Sequence, residues 1–503
     1  MAGKRTRAVC DLGSNSGRVV VARLDARGAL EIVADGRAPL RLAKEFDRAG
    51  NLSAEAVART ITALRDFQRL ARGAGVERPR VVATSAIREA KNREEILSAI
   101  RRATGLKVEV LSGDAEARFA FRGAIEKLPV ESGLMFDLGG GSLEVTRFAR
   151  RRLLASWTLP LGALRLSDRF LKGDPPTARQ IARLRAHLGR VLGGAELPAL
   201  ESDEQLIATG GTVRNLAKLD RRSRSYPLER LHGYALPLTR LRAIVARLRT
   251  RGLTARAKLP GMNSDRADSI LGGALCLEGA MEWVGARGLL VSGQGTREGL
   301  LYASLRAEAS PVVAARDAML EAVLARFAPW NREGADRRAA LARSLFRRFA
   351  PEEGDEIAEA LRVAALSLDA GRSVDYYNRH RHAAAILRAS DLGGMSPREV
   401  AFAAFVLERA DDEACSIAAQ RPLLGRADER SAERAAVVLE LAEALLERTA
   451  PGEQPRWRLE FSRREARLRA AGLSAWRPRA FASRFEKAFG RRIKILVSPR
   501  GEG

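Results

Sequence analysis

The chain has 503 residues, with 87 lysines and arginines against 61 aspartates and glutamates, a formal charge of +26. Apolar residues make up 46% and charged residues 29%, which predicts about three folded domains and excludes a disordered or fibrous chain. Three scattered cysteines exclude a disulfide scaffold and fit a reducing cytosol, and no leader-like or membrane-spanning apolar run is present, so we expect a cytoplasmic protein.

The first third of the chain alternates strand and helix patterns. The predicted strands are 7–12, 19–24, 29–34, 80–84 and 107–111, and the predicted helices are 53–72, 93–103 and 114–127. The helix at 53–72 rests on apolar residues at helical spacing between Ala56 and Leu70. Strands and helices that alternate in this way predict an α/β fold with a mostly parallel sheet covered by helices.

The pattern then restarts. RAVCDLGSNSGRVVVARL at 7–24 and GLMFDLGGGSLEVTRF at 133–148 each have the pattern strand, glycine turn, strand. Further elements are predicted at 205–209, 238–250, 265–284 and 288–292. The duplication predicts two related lobes, 1–130 and 131–305.

Composition changes after about residue 306. Helical periods are found at 313–327, 336–348, 354–368, 379–390, 396–409 and 430–448. The tail reads as strand, helix, strand. We therefore expect a helical domain at 306–450 and a small α+β unit at 451–503.

The two glycine turns are candidate phosphate sites. Small residues let the backbone approach a ligand, and successive N–H groups can form an anion-binding nest. One such loop alone is more often an ordinary hairpin turn, but two matching loops could grip a phosphate chain from opposite sides. The candidate residues are Gly13, Ser14, Asn15, Ser16, Gly139, Gly140, Gly141 and Ser142.

These loops resemble those of the actin, Hsp70 and sugar-kinase superfamily, and most closely those of its exopolyphosphatase and guanosine pentaphosphatase (Ppx/GppA) family. The resemblance is carried by DLGSNSGRVVV, ATSAIREAKN, LSGDAEARFAF, DLGGGSLEV, LPLGALRL, ATGGTVRNLA and SGQGTREGLLY, in order between residues 8 and 304. It implies two duplicated actin-like (ribonuclease H-like) lobes with a cleft between them. It also implies that the helical region is HD-like.

The resemblance implies that Glu116 is the catalytic base that orients the attacking water. The alternative is a carboxylate that only caps a helix N-terminus. Many relatives have a second acidic residue where this chain has Ala115, so Glu116 is the only candidate within the motif.

The resemblance also implies metal-related roles for Asp137 and Glu144, to which Asp11 could contribute from the facing lobe. Mg²⁺, or Mn²⁺ in its place, would neutralise phosphate charge, and K⁺ is a candidate activator. For Glu144 the alternative is an outward-facing strand carboxylate.

Two arginines are candidate phosphate ligands. Arg88 follows a predicted strand within ATSAIRE and could clamp phosphate oxygens, although alone it would pass for a surface arginine. Arg266 resembles a family arginine that faces the phosphate channel. Gly210, Gly211 and Thr212 resemble a nucleotide-contacting turn that this family generally does not use for ATP, so we expect them only to shape the cleft.

The HD-like region lacks most of the histidines that a working metal site needs. It has His380 and His382, but Tyr376 and Tyr377 stand where relatives often have a further His pair. We expect a structural or substrate-holding module in which the two histidines are packed or hydrogen-bonded rather than metal ligands.

The predicted function is an exopolyphosphatase that hydrolyses the terminal phosphate of inorganic polyphosphate. Open alternatives are a guanosine pentaphosphate 5′-phosphohydrolase, a low-turnover polyphosphate or alarmone binding protein, and an ATPase or sugar kinase. The positive charge fits a polymeric phosphate but also an arginine-rich background. No nucleic-acid recognition motif is found, and a homodimer is expected from the resemblance.

Overall fold

The computed structural model describes residues 6–24, 30–47, 49–305, 312–327, 330–449, 456–462, 464–471 and 479–498. The chain forms two compact units. The first contains the chain up to residue 224 together with 231–318, and the second contains residues 225–230 and the chain from 319 onwards. The predicted turn after residue 24 and the predicted boundaries near 306 and 450 lie outside the described residues.

The first unit begins with a lobe built on a five-stranded sheet. Its strands are β1 (Arg7–Leu12), β2 (Ser16–Leu24), β3 (Leu30–Pro39), β4 (Arg80–Ala83) and β5 (Val108–Val110), and its helices are α1 (Ala54–Gly73), α2 (Ser85–Glu89) and α3 (Arg93–Thr104). The spatial order is β3-β2-β1-β4-β5. Ser53 caps α1 by accepting the Ala56 N–H, and Leu64 and Phe67 on this helix pack into the core that covers the sheet.

The second lobe of this unit has a six-stranded sheet. Its strands are β6 (Gly133–Leu138), β7 (Leu143–Ala149), β8 (Arg152–Leu159), β9 (Gln205–Thr209), β10 (Tyr234–Pro237) and β11 (Gly288–Val291), in the order β10-β11-β9-β6-β7-β8. The remaining helices of the unit are α4 (Gly113–Ile125), α5 (Ala163–Phe170), α6 (Ala178–Gly193), α7 (Gly211–Arg222), α8 (Leu238–Arg249), α9 (Leu253–Ala257), α10 (Ile270–Trp283) and α11 (Thr296–Leu305).

Both sheets are mixed, so the prediction of a mostly parallel sheet is wrong. Strand β1 runs parallel to β4 but antiparallel to β2, and β6 runs parallel to β9 but antiparallel to β7. The glycine loops cause the antiparallel pairing, because a turn this short sends the chain straight back beside itself. Asp11 thereby pairs with Arg18, and Asp137 with Glu144.

Helices α4 and α11 each pack on the sheet of the other lobe. Helix α4 follows β5, yet its Phe121 packs in one cluster with Phe148 of β7. Helix α11 follows β11, yet its Leu300 packs with Val9 of β1. The helices cross at Gly123 and Gly299, where a Cβ on either residue would overlap the backbone of the other segment. Only glycine permits this approach.

The second unit is mostly helical. Its helices are α12 (Val312–Leu324, which spans the division between the units), α13 (Arg332–Phe349), α14 (Asp355–Ser367), α15 (Arg379–Ala389), α16 (Pro397–Asp411), α17 (Arg426–Glu447) and α18 (Arg479–Phe489). Its sheet has the order β12 (Arg456–Phe461), β13 (Glu465–Ala471) and β14 (Arg492–Ser498). Leu459, Leu468 and Phe485 join the core of the helices, and β13 was not predicted.

Buried polar groups of the second unit pair with one another. His380 on α15 is 8% exposed, and its Nε2 lies 3.2 Å from an oxygen of Glu443. Arg379 donates to the same carboxylate, whose pKa falls to about 2: burial opposes ionisation, but His380 and Arg379 outweigh it. In the described parts of the chain no metal-binding group of three such side chains occurs, and no helix is long and apolar enough to cross a membrane.

Candidate active site

The two predicted glycine loops lie against each other between the lobes of the first unit. Each is closed by the same turn: the Gly13 N–H donates to the Ser16 carbonyl at 3.2 Å, and the Gly139 N–H to the Ser142 carbonyl at 3.0 Å. A Cβ on Gly140 would stand 3.3 Å from the Ser14 Cβ. The loops therefore face each other across the cleft, as the duplication predicts.

A cavity of about 130 Å³ opens between the loops, and we call it the interlobe cavity. The predicted site residues that line it are Asp11, Gly13, Ser14, Asn15, Ser16, Glu116, Asp137, Gly139, Gly140, Ser142 and Arg266. Gly210 and Gly211 also line it, whereas Thr212 is buried beside it. Arg88, Gly141 and Glu144 do not belong to its lining.

Glu116 lies in the first turn of α4 with its carboxylate on the cavity wall. Ser112, not Glu116, caps the helix, because its hydroxyl accepts the Ala115 N–H at 3.2 Å. Burial raises the pKa of Glu116 to about 7, against the opposing effect of Arg88. At neutral pH this carboxyl group is therefore divided between its acid and base forms, as suits a group that accepts a proton during turnover.

Arg88 lies directly behind Glu116. One of its guanidinium nitrogens, Nη1, donates to the Leu111 carbonyl at 2.9 Å and to Glu116 Oε2 at 2.7 Å. The first bond holds the arginine against the end of β5, and the second orients the Glu116 carboxylate. The geometry thus gives Arg88 a positioning role, and phosphate contact by Arg88 stays a prediction.

Three further carboxyl groups, those of Asp11, Asp137 and Glu144, lie near Glu116. Burial raises the pKa of Asp11 and of Asp137 to about 6, although Arg297 opposes it at Asp11 and Arg214 at Asp137. Glu144 is 1% exposed and thus not an outward-facing strand carboxylate. Burial, followed by the charges of Glu116 and Asp137, places the pKa of Glu144 well above its ordinary range.

Two of these carboxyl groups have an oxygen suited to a cation. Asp11 Oδ1 and Glu144 Oε1 are buried and accept no hydrogen bond within the described structure. No group of three acidic, histidine or cysteine side chains is preassembled in the described residues. Mg²⁺ in phosphoryl-transfer sites commonly uses one or two carboxylates and completes its shell with substrate oxygens and water, so these residues fit the ion.

Four arginines also line the interlobe cavity, and we call Arg18, Arg214, Arg266 and Arg297 the arginine cluster. Burial, together with the other arginines, lowers the pKa of Arg18, Arg214 and Arg266 to about 10 each. A Cβ on Gly211 would overlap the Arg266 guanidinium, so glycine makes room for this side chain. Crowded buried cations of this kind are stabilised by an anion.

Three members of the cluster were missed by sequence reasoning. Arg18 follows the first glycine loop at the position that pairs with Asp11, and Arg214 and Arg297 each lie in the first turn of a helix after a glycine turn. This shared position just after a glycine turn was the sequence signal that could have identified the three arginines. Arg297 also lies 3.2 Å from Glu298, whose carboxylate accepts the Gly295 N–H at 2.8 Å.

Ion pairs join the lobes along one side of the cleft. Arg37 pairs with Asp265, and Arg41 and Lys44 both pair with Asp268. The partners come from the edge of the first sheet and from the segment before α10. The cleft is therefore in a closed arrangement on this side.

Comparisons with known proteins match this first unit. The sequence model of the Ppx/GppA phosphatase family matches residues 20–308. Exopolyphosphatase 1 of Mycobacterium tuberculosis is 32% identical over 305 residues, covering 60% of this chain and 88% of that protein. Exopolyphosphatase 2 of the same organism is 34% identical over 284 residues, covering 54% of this chain and 88% of that protein.

A solved structure gives the same match. The crystal structure of the Aquifex aeolicus member of the Ppx/GppA family is 30% identical and superposes with a TM-score of 0.53, covering 60% of this chain and 97% of that one. The match to the family model contains the second glycine loop, Glu116 and three members of the arginine cluster, Arg214, Arg266 and Arg297.

Proposed function

The chain belongs to the Ppx/GppA phosphatase family, and we propose that it is an exopolyphosphatase, which removes the terminal phosphate of inorganic polyphosphate. The observation that carries the proposal is that one cavity is lined both by carboxyl groups, which can handle a proton and a metal ion, and by the arginine cluster. Polyphosphate fits such a cavity because it carries negative charge on the phosphates beyond the one that reacts.

Binding begins with charge neutralisation. Arginine guanidinium groups donate paired hydrogen bonds to phosphate oxygens, and the N–H groups of the two glycine loops add uncharged donors. The buried arginines lose little further hydration when the anion enters. We place the terminal phosphate beside Glu116 and the following phosphates on the arginine cluster.

The chemical step is attack of water on the terminal phosphorus. Glu116 orients the water and takes up its proton, the new oxygen–phosphorus bond forms, and the bond to the bridging oxygen breaks on the opposite side. The shortened chain keeps the bridging oxygen. Arg88 contributes by holding the Glu116 carboxylate in place through the 2.7 Å hydrogen bond.

We propose that Asp11 and Glu144, each with a buried oxygen that accepts no hydrogen bond within the described structure, hold Mg²⁺, or Mn²⁺ in its place, together with Asp137. Each aspartate raises the pKa of Glu116 through its charge, and Asp11 does the same to Asp137, so a cation relieves this repulsion. The ion would supply neutralisation of charge on the phosphate oxygens. We propose K⁺ as an activator, and we expect the protein to act as a cytoplasmic homodimer.

Guanosine pentaphosphate presents a terminal phosphate to the same cavity and is the second candidate substrate. The decisive experiment measures phosphate release from long-chain polyphosphate and from guanosine pentaphosphate side by side, with Mg²⁺ and K⁺ present. We expect release from polyphosphate and a loss of about 100-fold or more in Glu116→Gln. Glu94→Gln, an exposed change in the same lobe, is the matched control.

The outcomes separate the hypotheses. Full activity of Glu116→Gln would contradict the mechanism. Release from guanosine pentaphosphate alone would favour the phosphohydrolase, and binding of polyphosphate without any release would favour a binding protein. Release of ADP from ATP would favour the ATPase or sugar-kinase reading.

A further inference from the structure

A second cavity, of about 510 Å³, adjoins the interlobe cavity, and we call it the side cavity. The proposed reaction gives it no role. Lys91, Arg165 and Arg169 contribute positive charge to its lining, and Ala43 and Phe46 form an apolar part of it. Ser14 and Ser85 line both cavities, so these two residues belong to the wall between them.

That wall is thin and made of small groups. The Ser14 and Ser85 hydroxyls lie 2.5 Å apart, and a Cβ on Gly141 of the facing lobe would lie 2.6 Å from Ser85 Oγ. Two serines from one lobe thus meet a glycine from the other. A hydrogen bond between two neutral hydroxyls contributes little net stability, and both hydroxyls can donate to a phosphate oxygen instead.

The wall lies near Glu116. Ser85 begins α2, which also carries Arg88, and Arg88 donates a 2.7 Å hydrogen bond to Glu116. Ser85 and Glu116 both line the interlobe cavity. With the terminal phosphate bound beside Glu116, the phosphate released by cleavage lies near this wall.

We propose that the released orthophosphate leaves through the Ser14–Ser85 wall into the side cavity while the shortened chain stays on the arginine cluster. The proposal rests on the proposed function. The chain can then advance by one phosphate without dissociating. Positive residues of the side cavity attract the anion, but Arg165 is paired with Glu89, and Asp168 adds a further negative charge, so the phosphate is not held.

The test compares cleaved phosphate with free phosphate in the same reaction. Quenched-flow sampling of long-chain polyphosphate hydrolysis counts all cleaved phosphate, and a fluorescent phosphate-binding protein reports the free fraction. Ala43→Trp fills the side cavity from a half-buried position outside the interlobe cavity. Ala58→Trp, on the exposed face of α1, is the matched control.

We expect Ala43→Trp to cleave its first phosphate at the wild-type rate and then to slow at least fivefold, with free phosphate lagging behind cleaved phosphate. Lys91→Glu changes an exposed residue and gives a smaller lag, which keeps the test valid should Ala43→Trp fail to fold. The proposal is overturned if free phosphate keeps pace with cleavage in these variants as it does in Ala58→Trp. Absence of any release by the wild type would instead contradict the proposed function.

Discussion

Arg88 donates a 2.7 Å hydrogen bond to Glu116, and this pair adjusts the proton affinity of the proposed base. Burial alone favours the protonated carboxyl group, and the guanidinium partly restores its ionisation. The pKa of the proposed base thereby lies near 7.

The first prediction concerns the pH dependence of the wild type. Because the pKa of Glu116 is about 7, the base form is lost as the pH falls through this value. We expect kcat/KM on polyphosphate to fall about tenfold per pH unit below pH 7. A profile that stays flat down to pH 5 would contradict the assignment of Glu116 as the base.

The second prediction concerns Arg88. Arg88→Gln removes the charge that lowers the pKa of Glu116, so the acidic limb of the profile should move to higher pH by about one unit. Activity at pH 7 should fall by at least about fivefold, because the ionised fraction of Glu116 drops from about one half to about one tenth, and should recover partly at pH 9. Arg101→Gln on the exposed face of α3 is the control. An equal loss of activity at every pH would mean that Arg88 does not act through the pKa of Glu116.

The third prediction concerns the arginine cluster. Arg214→Gln should raise KM for long-chain polyphosphate by about 10- to 100-fold, because one hydrogen-bonded charge contact contributes about 1.5–3 kcal/mol. The slope of log KM against log salt should also decrease. Steady-state kinetics at several salt concentrations check this, with Arg190→Gln on α6 as an exposed control. An unchanged KM would show that polyphosphate does not bind at Arg214.

The fourth prediction concerns stability. Asp11 and Asp137 bind protons more tightly in the folded protein, where their pKa is about 6, than their ordinary 3.8 allows in the unfolded chain. Their contribution to the free energy of unfolding is therefore present below pH 4 and is lost as the pH rises through 6. A shift of two units corresponds to about 2.7 kcal/mol per group.

Denaturant unfolding without Mg²⁺ checks this. The double variant Asp11→Asn, Asp137→Asn should unfold at a higher denaturant concentration than the wild type at pH 8, and the difference should shrink at pH 4. If the double variant and the wild type had equal free energies of unfolding at pH 8 and at pH 4, burial of these carboxyl groups would carry no free-energy cost.

The fifth prediction concerns the helix crossing. A Cβ at Gly299 would overlap the Phe119 carbonyl, so Gly299→Ala should lower the free energy of unfolding by about 1–3 kcal/mol. Gly189→Ala in α6 is the matched control, because its Cβ would meet nothing within 4 Å. The control should gain up to about 1 kcal/mol from helix propensity. Equal effects of the two changes would contradict the close crossing.

Local sequence patterns predicted most strands of the first unit and about half of its helices. They missed the edge strands β8 and β10, of which β8 is mostly only partly buried, and the helices α5 and α6. They also missed α11. Its motif was recognised, but a sequence does not reveal that this helix packs on the other lobe.

The site divides in the same way. Glycine loops and Glu116 carry local signals, since turns and helix starts are encoded by neighbouring residues. Arg18, Arg214 and Arg297 come from three separate elements, and only the fold brings them together. Their position after a glycine turn is a local signal, but it does not reveal that the three side chains share one cavity.

The crossing at Gly123 and Gly299 has a consequence for turnover. Glu116 lies near one end of α4, and Arg297 lies near one end of α11, so each side chain is carried by a helix that rests on the opposite lobe. An opening of the cleft would move the two crossed helices together. We therefore expect it to displace the proposed base, Glu116, and the proposed phosphate ligand, Arg297, at the same time.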